Sequence, residues 1–446
     1  MRLLIRGGRV IDPANGVDEM RDVLIEDGRI ASSGRELKVD GAQSIDATGL
    51  VVAPGFVDLH CHLREPGQEH KETIRSGAEA AARGGFTTIC AMPNTTPIID
   101  NSGLIESVLE RAREAPVRVL PIGAVTRGSM GQELADLAEM SATGAVAFSD
   151  DGKPLADAGL MRRALEYSLA LGRPIIDHCE DPSLSRGGVM NEGWVSVRLG
   201  LAGAPAQAEE SAVARNIQLA ELTGASLHLA HVSTRGSVDL VRQAKEKGLR
   251  VTGEATPHHL TLSEELVLGE PHELGEKAHA FNTLAKVNPP LRSQSDVTAC
   301  VEGLADGVID SIATDHAPHA TEDKLCEFDV AAFGISGFET AFGLVNSLVE
   351  AGGVSLPELI ERLTAAPARA LNLDRAVPGI GVLNDGCPAD LVILDPSERW
   401  LVEPETFASR GKNTPIAGRQ LTGRVKATIA DGRLVWSELK EAAAVA

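Results

Sequence analysis

The sequence predicts an α/β fold: a (β/α)₈ barrel of the TIM type with a small β-sandwich domain built from both chain ends. Three observations predict it. Eight short apolar runs alternate with helix-like stretches between about residues 52 and 375, strand-and-turn patterns occupy both ends, and polar residues stand where several apolar runs stop. Strands that alternate with helices form a parallel sheet, and eight such units close into a barrel.

The two ends of the chain share one sequence pattern, short apolar runs separated by turn residues. LLIRGGRVID and DVLIEDGRIASSG near the N-terminus read as short strands, with Gly-Gly and Asp-Gly as hairpin signals. The same pattern returns in ADLVILDP and GRVKATIADGRLVW near the C-terminus. We therefore predict a β-sandwich from residues 1–52 and 376–446, with a frayed tail, and a barrel at 53–375.

The middle of the chain combines strand-like runs with helical periodicity. LADAGLMRRALEYSLALG and SVDLVRQAKEKG carry apolar residues at helical spacing. An open doubly wound sheet is the alternative, but no glycine-rich fingerprint opens the first unit. The eight strand candidates are 56–60, 87–92, 117–122, 145–148, 174–178, 226–231, 250–254 and 308–314.

Composition and charge narrow the classes of function. The chain of 446 residues has a formal net charge of −21. This balance argues against nucleic-acid binding, which requires basic patches, although a few local positive charges suffice to capture a small anion. No apolar run is long enough to span a membrane, and the six cysteines lack paired spacing. We expect a reduced, cytoplasmic protein.

Histidine and aspartate residues stand at the ends of four predicted strands. His60 and His62 close the first, His178 ends the fifth, His231 ends the sixth, and Asp315 follows the eighth. The carboxyl ends of barrel strands share one face, so these side chains should converge there. Alternation along a strand sends the first two histidines to the same side. The set predicts a site for Zn²⁺ or a similar metal, whereas a lone His-x-His pair is more often structural.

These residues belong to a longer series of motifs: PGFVDLHCHLREPG, AMPNTTP, FSDDGKP, DHCED, HVST, EATPHHL, KVNPPLR, TDHAPH, FGISGFET and KNTPIAGRQLTGRV. The series resembles that of the amidohydrolase superfamily and, within it, the bacterial dihydroorotases of the first class, from about residue 1 to 436. The resemblance implies reversible hydrolysis of (S)-dihydroorotate to N-carbamoyl-L-aspartate in de novo pyrimidine (UMP) biosynthesis.

The resemblance also implies a zinc centre with two ions per subunit, although the number occupied stays open. His60, His62 and Asp315 match the ligands of one metal, and His178 and His231 match those of a second. A hydroxide generated at the metals would attack the ring carbonyl, and Asp315 would be the catalytic proton shuttle to the departing amide nitrogen.

The bridge between the two metals departs from the pattern of many relatives. They carry a carboxylated lysine at the end of the fourth strand, whereas GAVAFSDDG offers no lysine before Lys153 in the following loop. The first class of dihydroorotases is similar in using an aspartate, and the matching residue is Asp151. Its neighbour Asp150 is the alternative.

Further positions match the family's substrate contacts. Arg64 can form a bidentate pair with the substrate carboxylate, the alternative being a surface salt bridge. Asn94 could equally be a turn residue. The substrate-binding residues implied are His62, Arg64, Asn94, Asn288, His319, Phe333 and Gly334.

Other polar residues near the motifs are assigned no chemistry. His258 and His259 read as supporting or packing groups, and His316 should face away from the site. The glycine-rich segment 184–209 looks like a loop over the site.

Two other functions stay open. Allantoinase or dihydropyrimidinase would use a similar metal cup, but both typically keep the bridging lysine. A non-catalytic homologue serving as structural partner of aspartate transcarbamoylase would lose ligands that this chain retains. A homodimer is the default expectation for a soluble enzyme, and the sequence leaves association with aspartate transcarbamoylase undecided.

Overall fold

A computed structural model of the protein describes residues 2–269 and 280–439, so the predicted frayed tail lies outside the described residues. The strands are β1 (Arg2–Asp12), β2 (Val17–Glu26), β3 (Arg29–Gly34), β4 (Gln43–Asp46), β5 (Val51–Pro54), β6 (Phe56–Cys61), β7 (Phe86–Ala91), β8 (Arg118–Pro121), β9 (Ile175–Asp177), β10 (Met190–Asn191), β11 (Gly203–Ala204), β12 (Leu227–Leu229), β13 (Val251–Ala255), β14 (Ser311–Ile312), β15 (Leu391–Leu401), β16 (Gln420–Ala430) and β17 (Arg433–Ser437).

The helices lie mostly between the strands of the middle region. They are α1 (Ile74–Arg83), α2 (Ser102–Ala112), α3 (Leu137–Thr143), α4 (Ala158–Leu171), α5 (Trp194–Leu199), α6 (Ala206–Thr223), α7 (Arg235–Glu246), α8 (Pro257–Thr261), α9 (Gln294–Ala305), α10 (Thr321–Lys324), α11 (Ala341–Glu350), α12 (Leu356–Leu363) and α13 (Ala365–Ala370). Within the described ranges, none of them is long and apolar enough to cross a membrane.

The parallel strands of the middle region pair in chain order. β6, β7 and β8 form one sheet, and β9, β12, β13 and β14 form another. The predicted strand at 145–148 has one regular bridge residue, Phe148, and its backbone bonds to both neighbours: the N–H of Val146 donates to Pro121 (3.1 Å) and that of Ile176 to Phe148 (2.8 Å). A further parallel bridge joins Cys61 at the end of β6 to His316 beyond β14. The pairings therefore run from β6 to β14 and return to β6.

Helix α4 shows how local sequence sets these elements. It begins because the Asp157 carboxylate accepts a hydrogen bond from the backbone N–H of Leu160, at 2.6 Å. It ends at Gly172, whose φ of 64° is the left-handed conformation that glycine adopts without strain. Its buried residues Leu160, Ala164 and Ser168 recur every fourth position, so one face packs inward.

Both ends of the chain enter one mixed sheet, in the order β17-β16-β15-β5-β1-β2-β3, with β4 beside β1. β5 joins the two halves because it runs parallel to β1 and antiparallel to β15. Ile5 and Val23 from the first half share a fully buried core with Ile393 and Ile429 from the second. The joint sheet is thus observed, whereas the two-layered sandwich and the domain boundaries stay predictions.

Candidate metal centre

Five of the predicted ligands meet where the parallel strands end. His60 and His62 lie at the end of β6, His178 directly follows β9, His231 follows β12, and Asp315 follows β14. Their exposed fractions lie between 0 and 5%, so the cluster is almost closed to solvent.

Asp151 lies between two pairs of histidines. Its Oδ1 is 3.4 Å from Nε2 of His60, 3.6 Å from Nδ1 of His178 and 3.7 Å from Nε2 of His231. Its Oδ2 is 3.6 Å from Nε2 of His62. The carboxylate therefore belongs to two candidate ligand groups at once, one with each pair of histidines. This is the geometry that a bridging ligand requires.

Asp150 is engaged elsewhere. Its carboxylate accepts hydrogen bonds from the backbone N–H groups of Val125 (2.9 Å) and Thr126 (3.1 Å), and from the Thr126 hydroxyl. These donors satisfy a buried carboxylate without a metal. Of the two adjacent aspartates, only Asp151 faces the histidines.

Asp315 lies on the side of the first histidine pair. Its Oδ1 is 2.9 Å from Nε2 of His62 and 3.5 Å from Nε2 of His60. Its φ of 44° is positive, which is uncommon for a residue other than glycine and costs on the order of 1–3 kcal/mol. The preceding Thr314 is held by Asp58, whose carboxylate accepts from its backbone N–H (2.7 Å) and hydroxyl (2.8 Å).

Two buried atoms of the centre without hydrogen-bond partners indicate that a metal ion would fit. Within the described part of the chain, Nε2 of His60 and Oδ1 of Asp151 have no hydrogen-bond partner. An unpaired buried polar group costs about 1–3 kcal/mol, and a divalent cation between these atoms would satisfy both. The other ring nitrogen of His60, Nδ1, lies 2.7 Å from Glu254 Oε1, which leaves Nε2 free to bind a metal. The residues present therefore fit a divalent metal.

Glu254 was not predicted as a site residue from the sequence, although it supports the metal centre. It is fully buried in β13 and also contacts Nε2 of His228 (3.1 Å) and the backbone N–H of His231 (3.3 Å). Burial raises the pKa of its carboxyl, but contacts with His228 and His60 outweigh burial and lower that pKa to about 2. The signal available in the sequence was an acidic residue inside an apolar strand candidate. Asp58, within the first strand, was missed in the same way.

The charges of the centre favour bound cations. Burial lowers the pKa of His60, but the charges of Asp151 and Asp315 outweigh burial, and the net pKa lies well above its usual value. Burial raises the pKa of Asp151, yet His60 and the other histidines hold it well below its usual range. Because ligating histidines must be neutral, protons compete with a metal for this cluster.

A cavity of about 170 Å³ opens onto the centre, and six of the seven predicted substrate contacts line it. The exception is His319, whose Nε2 lies 2.8 Å from the carbonyl oxygen of Phe333 and 3.3 Å from Nη2 of Arg64. It thus stands behind Arg64 instead of lining the cavity. Segment 184–209 contributes no described residue to the lining of the cavity. It forms α5 between the paired strands β10 and β11. This arrangement differs from the loop over the site that the sequence predicted.

Arg64 is buried in the cavity wall. Its Nε donates to the carbonyl oxygen of Pro318, at 3.1 Å, and no carboxylate among the described residues lies within ion-pair distance of its guanidinium. Burial lowers its pKa to about 10, so it stays charged at neutral pH. Asp315, Asp151 and other carboxylates offset part of the cost of burying this cation from a distance, and an anionic ligand in direct contact would offset more of it.

Two asparagines line the cavity and touch the metal-centre histidines. Oδ1 of Asn94 lies 2.9 Å from Nδ1 of His62, which leaves Nε2 of that histidine facing the centre. Nδ2 of Asn288 lies 3.1 Å from Nε2 of His178 and donates to Glu180 at 2.8 Å. Both amides therefore orient predicted ligands, and Glu180 is another participant that sequence reasoning did not single out.

Three other histidines of the described chain, His258, His259 and His316, lie as packing groups. His316 stacks on Phe338 with ring centroids 4.2 Å apart and faces away from the centre. His259 contacts the Thr256 hydroxyl and the carbonyl oxygen of Pro289. His258 is buried beside it, with ring centroids 4.6 Å apart.

Replacement of each adjacent aspartate tests the bridge. We expect Asp151→Ala to lose the second metal and most of the activity, because no other carboxylate among the described residues belongs to both candidate ligand groups. Asp150→Ala should be milder, since it removes only contacts to the backbone of Val125 and Thr126 and to the Thr126 hydroxyl. Metal content per chain and turnover would be measured for both variants. The opposite order of effects would assign the bridge to Asp150.

Solved structures of similar fold define the class. The L-hydantoinase (dihydropyrimidinase) of Arthrobacter aurescens matches with a TM-score of 0.84 and 26% identity over 99% of this chain and 97% of that chain. The dihydropyrimidinase of Brevibacillus agri NCHU1002 matches with a TM-score of 0.82 and 24% identity over 98% of this chain and 95% of that chain. The fold is that of an amidohydrolase.

Sequence relatives narrow the class to a family. A family model described as Dihydro-orotase-like matches residues 49–237. The dihydroorotase of Pelotomaculum thermopropionicum is 52% identical over 439 residues, which cover 98% of this chain and 99% of the relative. That of Anaeromyxobacter sp. strain K is 52% identical over 440 residues, 98% of each chain. The chain belongs to the dihydroorotase family.

Proposed function

We propose that this protein hydrolyses (S)-dihydroorotate reversibly to N-carbamoyl-L-aspartate, in de novo pyrimidine biosynthesis. The observation that carries the proposal is the buried Arg64, which faces a cavity beside a carboxylate-bridged histidine cluster. Substrate and product both carry a carboxylate that this guanidinium can hold. Relatives named dihydroorotase, about half identical over nearly the whole chain, support the same reaction.

The metal of this reaction is proposed to be Zn²⁺, two ions per subunit. Imidazole and carboxylate ligands suit this borderline cation. Such ions, when bound, lower the pKa of water and polarise a carbonyl oxygen. The residues that would hold them are His60, His62, Asp151, His178, His231 and Asp315.

The chain's own groups bind the substrate and move the proton. Arg64 holds the carboxylate, while Asn288 and the backbone at Phe333 and Gly334 face the ring from the cavity wall. Burial raises the pKa of Asp315, but contacts with His60 and His62 outweigh burial and lower that pKa, so the carboxylate is ionised at neutral pH. Asp315 can therefore accept a proton from the attacking water and deliver it to the amide nitrogen as the C–N bond breaks. Ring closure uses the same groups in reverse.

The closure of the barrel and the β-sandwich are also proposals. We infer that the ring of parallel pairings is a closed (β/α)₈ barrel, and that the terminal sheet folds into a β-sandwich from residues 1–52 and 376–446. The return of the pairings from beyond β14 to β6 supports the barrel. A homodimer, association with aspartate transcarbamoylase and a cytoplasmic location stay predictions.

Dihydropyrimidinase activity is the second candidate, because solved structures with that name share the fold. An uncharged ring such as dihydrouracil would not use a buried arginine. The bridging position here is also an aspartate, whereas such enzymes typically keep a lysine. Allantoinase is the same kind of alternative, and a non-catalytic partner role would not require an intact ligand set.

Metal removal tests the proposal. We expect purified protein to contain tightly bound zinc and to lose dihydroorotate hydrolysis on chelation, with recovery when zinc is restored, because the ligand cluster is buried and complete. Elemental analysis per chain and the hydrolysis rate would be measured on the same samples. Active protein without any transition metal would contradict the mechanism.

A further inference from the structure

Asn413 comes from a part of the chain remote from the strand ends, yet it lies beside the cavity. It belongs to the KNTPIAGRQ segment between β15 and β16, and only 4% of its surface is exposed. Its side chain stands between two loops that approach the substrate cavity. One is the loop 317–319 after β14, and the other is the loop 333–336.

The amide of Asn413 uses its full hydrogen-bonding capacity on these loops. Oδ1 accepts from the backbone N–H of His319 and from the Ser336 hydroxyl, both at 2.8 Å. Nδ2 donates to the carbonyl oxygens of Ala317 and Gly334, both at 3.0 Å. Two acceptor bonds and two donor bonds are all that a primary amide can make. Each loop thus receives one bond from each end of the amide.

We propose that Asn413 is a positioning residue that clamps the loops 317–319 and 333–336 together and thereby sets the affinity for substrate. The link to the substrate is short, because Gly334 lines the cavity and His319 contacts Arg64. The inference rests on the proposed function, since it assigns the loops to dihydroorotate binding.

The metal centre depends on different contacts. Asp315 follows Thr314, which Asp58 holds, and His60 is oriented by Glu254. Within the described chain, Asn413 makes no hydrogen bond to any of the predicted metal ligands. Its replacement should therefore raise KM while turnover at saturation and metal content are retained.

Asn413→Asp is the sharpest substitution because it keeps the size of the side chain. A carboxylate has no N–H to donate, so an anionic oxygen would face the Ala317 and Gly334 carbonyl oxygens and the clamp would open. We expect KM to rise by about 10- to 100-fold, because the loops that carry Gly334 and the His319 contact with Arg64 would lose their shared anchor. We expect kcat to stay within about threefold, since the metal centre is not touched. Asn413→Ala, which removes the amide without adding charge, should act in the same direction.

Asn346 offers a matched control. It is a buried asparagine whose Nδ2 also donates to two backbone carbonyl oxygens, those of Pro396 and Thr422, both at 3.0 Å. It does not line the cavity. Asn346→Asp should lower thermal stability in the same manner as Asn413→Asp, but it should leave KM unchanged.

The experiment compares the three variants with the wild-type metalloenzyme. Thermal midpoint, metal per chain, kcat and KM for dihydroorotate would be measured, with amide hydrogen exchange in the two loops. Raised KM and faster loop exchange only in the Asn413 variants would support the clamp. Three results would each overturn the clamp. They are an unchanged KM in Asn413 variants that remain active, a loss of metal from these variants, and failure of both variants to fold. A wild-type protein inactive on dihydroorotate would instead contradict the proposed function, and the affinity claim with it.

Discussion

The Asp315→Asn variant is expected to hydrolyse dihydroorotate with a kcat at least about 10²-fold lower than that of the wild type, the lower end of a general acid–base contribution. Asparagine keeps the size of the side chain but cannot accept and return a proton. It also lacks the charge that holds this carboxylate 2.9 Å from Nε2 of His62 and 3.5 Å from Nε2 of His60.

The measurement has to separate proton transfer from metal loss. Turnover would be determined at saturating substrate with metal content measured on the same sample, after supplementation with zinc. Asp390→Asn is a suitable control, because Asp390 is buried but pairs with Arg118 at 2.8 Å, outside the cavity. Near-normal turnover in Asp315→Asn would exclude this residue as the proton shuttle.

The Arg64→Met variant is expected to lose about 10- to 10³-fold in kcat/KM for dihydroorotate. Charge-assisted hydrogen bonds contribute on the order of 1.5–3 kcal/mol each, and about 1.4 kcal/mol corresponds to one decade. Any trace activity on dihydrouracil should barely change, because that ring carries no carboxylate. The comparison therefore separates recognition of the substrate's charge from support of the fold.

Arg64→Lys completes this test as the conservative variant. It keeps the positive charge but loses the planar fork, so it should fall between wild type and Arg64→Met on dihydroorotate. Equal losses on the charged and uncharged rings would assign Arg64 to the fold or the metal centre. Strong wild-type activity on dihydrouracil would favour dihydropyrimidinase.

Several features of the fold and the site are readable along the chain. Apolar runs mark the parallel strands, and residues placed directly at their ends, such as His60 and His178, meet in space because strand ends share one edge of a sheet. The fourth run, 145–148, lies between its predicted neighbours and its backbone bonds to Pro121 and Ile176, although only Phe148 forms regular ladder bridges. Apolar character predicts burial there, but ladder formation depends on neighbours that the run itself does not specify.

The sequence by itself determined the family, the candidate ligands and the presence of a cationic residue for an anionic substrate, because these depend on residue type and local position. Only the tertiary structure decided the supporting contacts. Glu254 reaches His60 across 194 positions, and Asn413 reaches His319 across 94. The sequence favoured Asp151 over Asp150 by its match to the family motif, and the contacts that distinguish the two residues are visible only in the fold. Hydrogen bonds between distant segments follow from how the chain packs, and local spacing carries no record of them.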